Sequence, residues 1–489
     1  MNYESIKCPY CFRYFSHNEV LFRSATALTE VDLDPTGRGR SIEDIELEMP
    51  DGSEKNDIIS KYHLRERFLI KDDEEYNRFW ETYGTTSEIN SGVDSSILDY
   101  KRPLLHHNDK SVVPNGAQLD IDGFVYKVED CFGKESYERV CPHCHNPLPQ
   151  NYGKFPVKFL SVIGISSAGK TVFLSKLIEN ITGYAAKLGM AALAGSSSSR
   201  KFIQDNKIDE NVPLPGGTPD RYLSQPLFYN LSYFKNNIRE NKMFVIYDIA
   251  GETCVSAARI LNYAPFIRNS DGMFILMDPQ QFQCLGGRAA QITDAILSTL
   301  SGVFTGADMV EIPLAFCIAK SDMMKSQNLL PEICYQDVRT INKSKFCAED
   351  YNIISNKLDE FFESNDPSIK VSLENNYIKF NYFAFTTLNC DVRLDEKGRK
   401  YPEKKPTPKR IEEPLFWMFK KFGFIDSQGD IVDHSRLTVD LNNKKKEKQE
   451  RQDYRDRLSL LKFNERARVL DEIKALDQEI QELTRKINS

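Results

Sequence analysis

Between about residues 155 and 425 the apolar positions follow two alternating rhythms. The apolar, β-rich runs "FPVKFLSVIG", "NKMFVIYD", "SDGMFILMD", "EIPLAFCIAK" and "YIKFNYFAF" read as buried strands. Between them the spacing becomes helical. Val172, Phe173, Leu177, Ile178 and Ile181 share one face after the first run, "AAQITDAILSTLSGVF" is amphipathic, and "RIEEPLFWMFKKFGF" supplies a closing helix. Strands alternating with helices predict an α/β fold: a mostly parallel sheet, helices on both faces, and ligands at the carboxyl ends of the strands.

The flanking patterns differ. In the N-terminal part, "DIELEMPDGSEKNDIISKYHLRERFLI" alternates charged and apolar residues, as a half-exposed sheet would. "GAQLDIDGFVYKV" suggests a strand pair around a turn at Asp122-Gly123, so residues 13–130 read as a β-rich insertion. Adjacent histidines in "LLHHNDK", His106 and His107, would point to opposite faces of a strand, which favours a surface loop over a metal site. Beyond residue 430 the chain is charged and lacks Gly and Pro after Gly429, and Val469, Ile473, Leu476, Ile480, Leu483 and Ile487 form a short coiled-coil seam. That seam could pack on the chain's own body or join a second copy. The implied organisation is residues 1–150, 151–430 and 431–489.

The strand ends carry the chemistry. Residues Gly164 to Thr171 read GISSAGKT, matching G-x-x-x-x-G-K-[ST] between a strand and a helix, the mark of a P-loop NTPase. Backbone N–H groups of such a loop, here including Ser167, Ala168 and Gly169, face phosphates; Lys170 reaches their oxygens and the Thr171 hydroxyl ligates Mg²⁺. "YDIAGE" follows a second strand. Asp248 would hold Mg²⁺ through a water, Gly251 would offer its N–H to a γ-phosphate, and Glu252 would orient water or sit as a solvated carboxylate. Thr218, in "PGGTPD", is either an Mg²⁺-sensing switch residue or part of an ordinary turn. "AKSD" ends a third strand. Asp322 there can accept from guanine N1–H and the 2-amino group, with the Lys320 stem over the base; adenine offers neither donor. Thr386-Thr387-Leu388 could cap the base carbonyl with N–H groups, Thr387 foremost.

Cysteine usage adds a second site. Cys8 and Cys11, and Cys141 and Cys144, each stand in a C-P-x-C turn, 130 residues apart from one turn to the next. Two such turns supply the four thiolates of a closed, structural Zn²⁺ site, here one zinc ribbon split by the insertion. His143 or His145 could replace one sulfur, and Cys131 is a spare candidate. The chain has 489 residues, 40% of them hydrophobic and 28% charged, enough for a packed core. Its net charge of −7 weighs against nucleic acid as the main partner. The N-terminal residues lack the pattern of a signal segment, and no apolar run is long enough to span a bilayer, so the cytoplasm is the expected compartment. The basic run Lys397 to Arg410 reads as a solvated loop or a contact for an acidic partner or phosphate.

In their order and placement, GISSAGKT, DIAGE, AKSD and TTL resemble the P-loop GTPases of the translation-factor-related (TRAFAC) class, over about residues 157–424. With the cysteine turns in front, the chain resembles bacterial zinc-ribbon-bearing TRAFAC-clade GTPases. The resemblance implies GTP and GDP as ligands, Mg²⁺ at Thr171 and Asp248, a γ-phosphate contact at Gly251, guanine recognition by Lys320 and Asp322, unidentified protein partners, and a place in a conflict or defence system. Ala319 stands where the class has Asn or Thr, which removes one base-orienting hydrogen bond; Glu252 stands where Ras-like members have Gln, which implies slow hydrolysis or a partner's arginine. Two other classes fit the same residues: a nucleotide-stabilised interaction scaffold, and an ATP-using P-loop protein.

Overall fold

Seven strands form the principal sheet of the computed structural model: β1 (Val157–Gly164), β2 (Ala191–Ala194), β3 (Leu227–Lys235), β4 (Ile238–Asp248), β5 (Gly272–Met277), β6 (Leu314–Ile318) and β7 (Phe380–Ala384). The structure describes residues 5–83, 99–164, 168–216, 225–235, 238–249, 253, 257–282, 290–304, 310–341, 345–428, 434–457 and 463–487. Spatial order is β2-β3-β4-β1-β5-β6-β7. β4, β1, β5, β6 and β7 run parallel, while β2 and β3 pair antiparallel at one edge. The expected parallel strands therefore form, and their apolar runs are continuous because both faces are covered: every residue of β5 and β6 is buried.

Residue alternation along β1 and β4 divides the core. Val162, Phe244 and Ile246 face the helix Lys170–Glu179 and the closing helix Glu413–Lys421, through Phe173, Leu174, Leu177, Leu415, Phe416 and Phe419. Phe159, Ile163, Val245 and Tyr247 face the other way. There they join a core that includes the helices Ala290–Phe304 and Ala348–Asn365, and also Cys8, Tyr10 and Phe12 from the N-terminal part. The first cysteine turn is thus packed straight onto the sheet.

The N-terminal part is mixed rather than β-rich. The strand pair Ala117–Leu119 and Val125–Glu129 forms as expected. The segment read as alternating strand is helical, Ile42–Glu48 and Ser53–Glu66. Local chemistry explains it: Ser41 caps the first helix by accepting from the Asp44 N–H at 3.1 Å, and Asp44 returns the bond to Ser41 N–H, a capping box that outweighs the alternation. Ile45 and Tyr62 then bury on one side with Leu33. His106 and His107 follow a two-residue strand, Leu104–Leu105; because the chain turns there, their rings stack at 4.9 Å instead of opposing, and His107 is buried rather than at the surface.

After residue 433 the chain forms the helices His434–Arg457 and Phe463–Ile487. Lys444–Glu479, Lys448–Asp477 and Arg451–Glu472 ion pairs cross between them in antiparallel sense. Val469, Ile473 and Leu476 of the seam are buried within this hairpin. In the basic run, residues 400–402 pair with Val392–Leu394, and Arg410 is not solvated: it is fully buried and donates from Nε to Glu413 at 2.8 Å.

Trp80, on the helix Glu74–Glu81, ties the insertion to the second cysteine turn. It is 1% exposed and donates to the buried Asn146 at 3.1 Å, while its ring meets Tyr10 of the first turn edge-on. Trp80→Ala removes that packing and takes the indole donor away from the Asn146 Oδ1. Urea denaturation of the full chain is expected to show a loss of about 3–5 kcal/mol.

Candidate nucleotide and metal sites

β1 ends at Gly164, where the backbone closes on its neighbours: a Cβ there would lie 2.9 Å from the Leu276 carbonyl and 3.0 Å from the Lys170 side chain. The loop rejoins the described residues at Ala168. Gly169 then takes the left-handed conformation (φ 80°) as N-cap of the helix Lys170–Glu179, a conformation costly for any side chain. The helix N-terminus therefore opens at the carboxyl end of the sheet, where its first-turn N–H groups and the positive end of its dipole lie. Lys170 is buried and its ammonium folds back to the Gly164 carbonyl at 2.8 Å.

β1 and β4 are in parallel register, with Val162 opposite Asp248. That register sets the Asp248 carboxylate beside the first turn of the helix, where the Thr171 hydroxyl donates to it at 3.3 Å. Oxygen ligands of an octahedral Mg²⁺ at ~2.1 Å stand roughly 3 Å apart, so this hydroxyl–carboxylate pair fits the ion either directly or through its water.

Further along the same edge, Lys320 follows β6 in a left-handed conformation rare for a non-glycine residue (φ 54°). Its stem lies close to the loop, 3.7 Å from where a Cβ on Gly169 would be, and its ammonium pairs with Asp278 at 2.6 Å. Asp322 is half-buried and accepts a hydrogen bond from the Thr386 hydroxyl. Ser321 N–H bonds to the Phe385 carbonyl, and Thr386 pairs with Lys409, so the two loops are fastened together. Thr387 is buried beside them.

The sheet edge thus gathers Gly164, Ala168, Gly169, Lys170, Thr171, Asp248, Lys320, Asp322 and Thr387. Ser167, Thr218, Gly251 and Glu252 lie outside the described residues. Two participants were missed by the motifs. Asp278, an acid ending a buried strand just before a proline, holds Lys320; Thr386 holds Asp322 by its side chain, whereas the motif reading considered only backbone groups there.

The second site is the four-cysteine cluster. Cys8, Cys11, Cys141 and Cys144 place all their sulfurs within 4.8 Å of one another, the one such metal-competent group among the described residues. Cys8–Cys144 and Cys11–Cys141 sulfur distances are 3.7 and 3.8 Å. A tetrahedron with Zn–S of about 2.3 Å has edges of roughly 3.8 Å, so the donors fit zinc. The two turns are copies of each other. Phe12 N–H bonds to Cys8 O and His145 N–H to Cys141 O, both Phe12 and His145 are left-handed, and Tyr10 and His143 aim their N–H groups at Cys8 and Cys141 sulfur at 3.4 Å. Burial pushes the Cys8 and Cys144 thiols well above their ordinary range, so a cation is what would favour their thiolates there. His143 turns to the Tyr14 carbonyl and His145 to Asp73 at 2.7 Å, so neither replaces a sulfur; Cys131 stands apart.

The fold and this edge define a mixed α/β domain whose large sheet resembles the P-loop GTPases. Residues 158–362, less than half the chain, match the family model described as Double-GTPase 2. Over 204 residues the chain is 20% identical to a Mycolicibacterium smegmatis protein provisionally described as the ESX-1 scaffolding and assembly protein SaeC, covering 38% of this chain and 52% of that one. The chain thus spans about half the length of this curated relative. Similar solved structures include a Sulfolobus solfataricus GTP-binding protein in complex with GDP (10% identity, 54% of this chain, 53% of the other, TM-score 0.20). Another is the S. cerevisiae Ski7 GTPase-like domain bound to GTP (10%, 55%, 51%, TM-score 0.26). No helix among the described residues is long and apolar enough to cross a membrane.

Elemental analysis of purified protein is expected to find about one zinc per chain, and Cys141→Ser to retain almost none, since three sulfurs lose the closed shell.

Proposed function

We propose that the chain is a Mg²⁺-dependent GTP-binding switch that hydrolyses GTP to GDP and phosphate. The observation that carries this reading is the 3.3 Å approach of Thr171 to Asp248 at the mouth of the P-loop helix, on the same edge as Asp322. A hydroxyl and a carboxylate meeting beside a helix N-terminus suit a phosphate-bound cation. Lys170 and the N–H groups of Ala168 and Gly169 bind phosphate oxygens, and Mg²⁺ offsets the phosphate charge. Asp322 selects guanine by accepting from the base's N1–H and 2-amino group, with the Thr386 hydroxyl, which donates to the same carboxylate, fixing its orientation. The Lys320 stem, held by Asp278, floors the base pocket. Thr218 and Gly251 sense the γ-phosphate, and Glu252 orients the attacking water.

The cysteine cluster binds Zn²⁺ as a structural centre, and the N-terminal part and the helical tail carry protein contacts. The family match over residues 158–362 supports the guanine-nucleotide reading. The resemblance to defence-system GTPases and the similarity to a relative described as a scaffolding and assembly protein both suit work within a larger assembly.

Two experiments test this. In a phosphate-release assay with GTP and Mg²⁺, wild type is expected to exceed Lys170→Ala at least about ten-fold, the scale of one lost charge-assisted contact of about 1.4 kcal/mol. Equal release by both proteins leaves a nucleotide-stabilised scaffold. Separately, Asp322→Asn is expected to lower GDP affinity about 30-fold while leaving ADP affinity unchanged, because the carboxylate's two acceptor lone-pair sets are replaced by one acceptor and one donor. An unchanged preference favours ATP as the substrate.

A further inference from the structure

One tyrosine joins the two sites. Tyr247 immediately precedes Asp248, and alternation along β4 turns its ring to the opposite face of the sheet, toward the cysteine turns. Its hydroxyl donates to the carbonyl of Pro9 at 2.6 Å, across 238 residues of sequence. Pro9 lies inside the first C-P-x-C turn, between Cys8 and Cys11. The ring is clamped as well: Phe266 stacks on it at 4.5 Å and 7°, and Phe12, the left-handed residue that closes the same turn, lies 6.1 Å away. Tyr247 is 1% exposed, so this bond is made in a dry core where a misplaced hydroxyl is costly. The backbone of β4 therefore has one side chain fastened to the sulfur cluster and the next delivering the carboxylate that meets Thr171.

We propose that Tyr247 is the positioning residue for Asp248, so that the metal-bound state of the cysteine turns sets how strongly Mg²⁺ supports nucleotide binding. This rests on the guanine-nucleotide reading above. A bond to the cysteine turn holds the last residues of β4 at the height where Asp248 faces the helix N-terminus. Without it, no hydrogen bond ties the Tyr247 side chain to the cysteine turn, and the ring is held by stacking and apolar packing, which fix its plane more tightly than its position along the strand. Nucleotide binding itself, through the loop and Asp322, does not depend on this bond; its Mg²⁺-dependent part does.

The chain supplies its own control. Tyr152 is equally buried, and its hydroxyl donates to the carbonyl of Lys7, beside the same turn, also at 2.6 Å, but Tyr152 lies outside β4. GDP affinity is measured by calorimetry with Mg²⁺ and with Mg²⁺ withheld, on zinc-loaded full-length wild type, Tyr247→Phe and Tyr152→Phe, with zinc content read by elemental analysis. Tyr247→Phe is expected to keep its zinc and to lose about five-fold of the Mg²⁺ enhancement, the scale of one buried hydrogen bond. Tyr152→Phe is expected to stay within about two-fold of wild type, the scatter of neutral substitutions. Zinc-stripped wild type is expected to shift as Tyr247→Phe does. Equal enhancement in both variants, or zinc lost from Tyr247→Phe, overturns the proposal. If Tyr247→Phe does not fold, Pro9→Ala, which keeps the carbonyl but loosens the turn presenting it, must shift the enhancement in the same direction, and no shift overturns the proposal. Wild type that binds no GDP at all fails the guanine-nucleotide reading itself; wild type that binds with unchanged variants fails only this inference.

Discussion

The parallel pairing of β1 with β4 is the constraint on which the rest depends. Val157 to Val162 run beside Met243 to Asp248 without a break in register. Because side chains alternate with a period of two, a slip of one residue would turn Asp248 toward the cysteine turns and Tyr247 toward Thr171. Both sites would be lost together. The register is held from both faces: Phe244 and Ile246 are locked among the helices of one layer, Val245 and Tyr247 among the aromatic residues of the other. On its far side β1 pairs with β5, setting Gly164 opposite Leu276 at the tight approach where the phosphate loop departs.

The N-terminal part supports the sheet in place of a helix. Over β1 and β4 its contribution is the first cysteine turn with its aromatic rings; the second turn, likewise with a left-handed fifth residue, meets the first at the sulfur cluster. Tyr10 and Phe12 anchor the first turn in the core, and the four cysteines that join the two turns could hold a metal ion. The arrangement explains why halves of one site can lie so far apart in sequence. The intervening helices and strands fold outward, and Trp80 with Asn146 closes them back onto the second turn.

Much of this was legible beforehand, for reasons that differ between regions. The central strands were readable because burial on both faces demands uninterrupted apolar runs, and the loop because close approach demands Gly164 and a left-handed backbone demands Gly169. The cysteine cluster was readable from spacing alone, since C-P-x-C admits few geometries. Residues 42–66 were misread because charge alternation imitated a strand, while the decisive signal, Ser41 with Asp44, was a short-range cap. Asp278 and Thr386 were not legible as site residues. Their roles come from neighbouring strands that meet only when β5, β6 and β7 pair, and nothing local in sequence marks that meeting. The same holds for Tyr247, which reads as one more aromatic in a buried strand until the first cysteine turn is docked against it.

The central claim is that this sheet edge is built for a guanine nucleotide. Its most direct test is calorimetric binding of GDP and ADP, each with Mg²⁺, to the wild-type chain. The account predicts that GDP binds at least ~100-fold more tightly, about 2.7 kcal/mol. ADP binding as tightly as GDP, or more so, would contradict it, and would leave Asp322 as no more than the end of a strand fastened to Thr386.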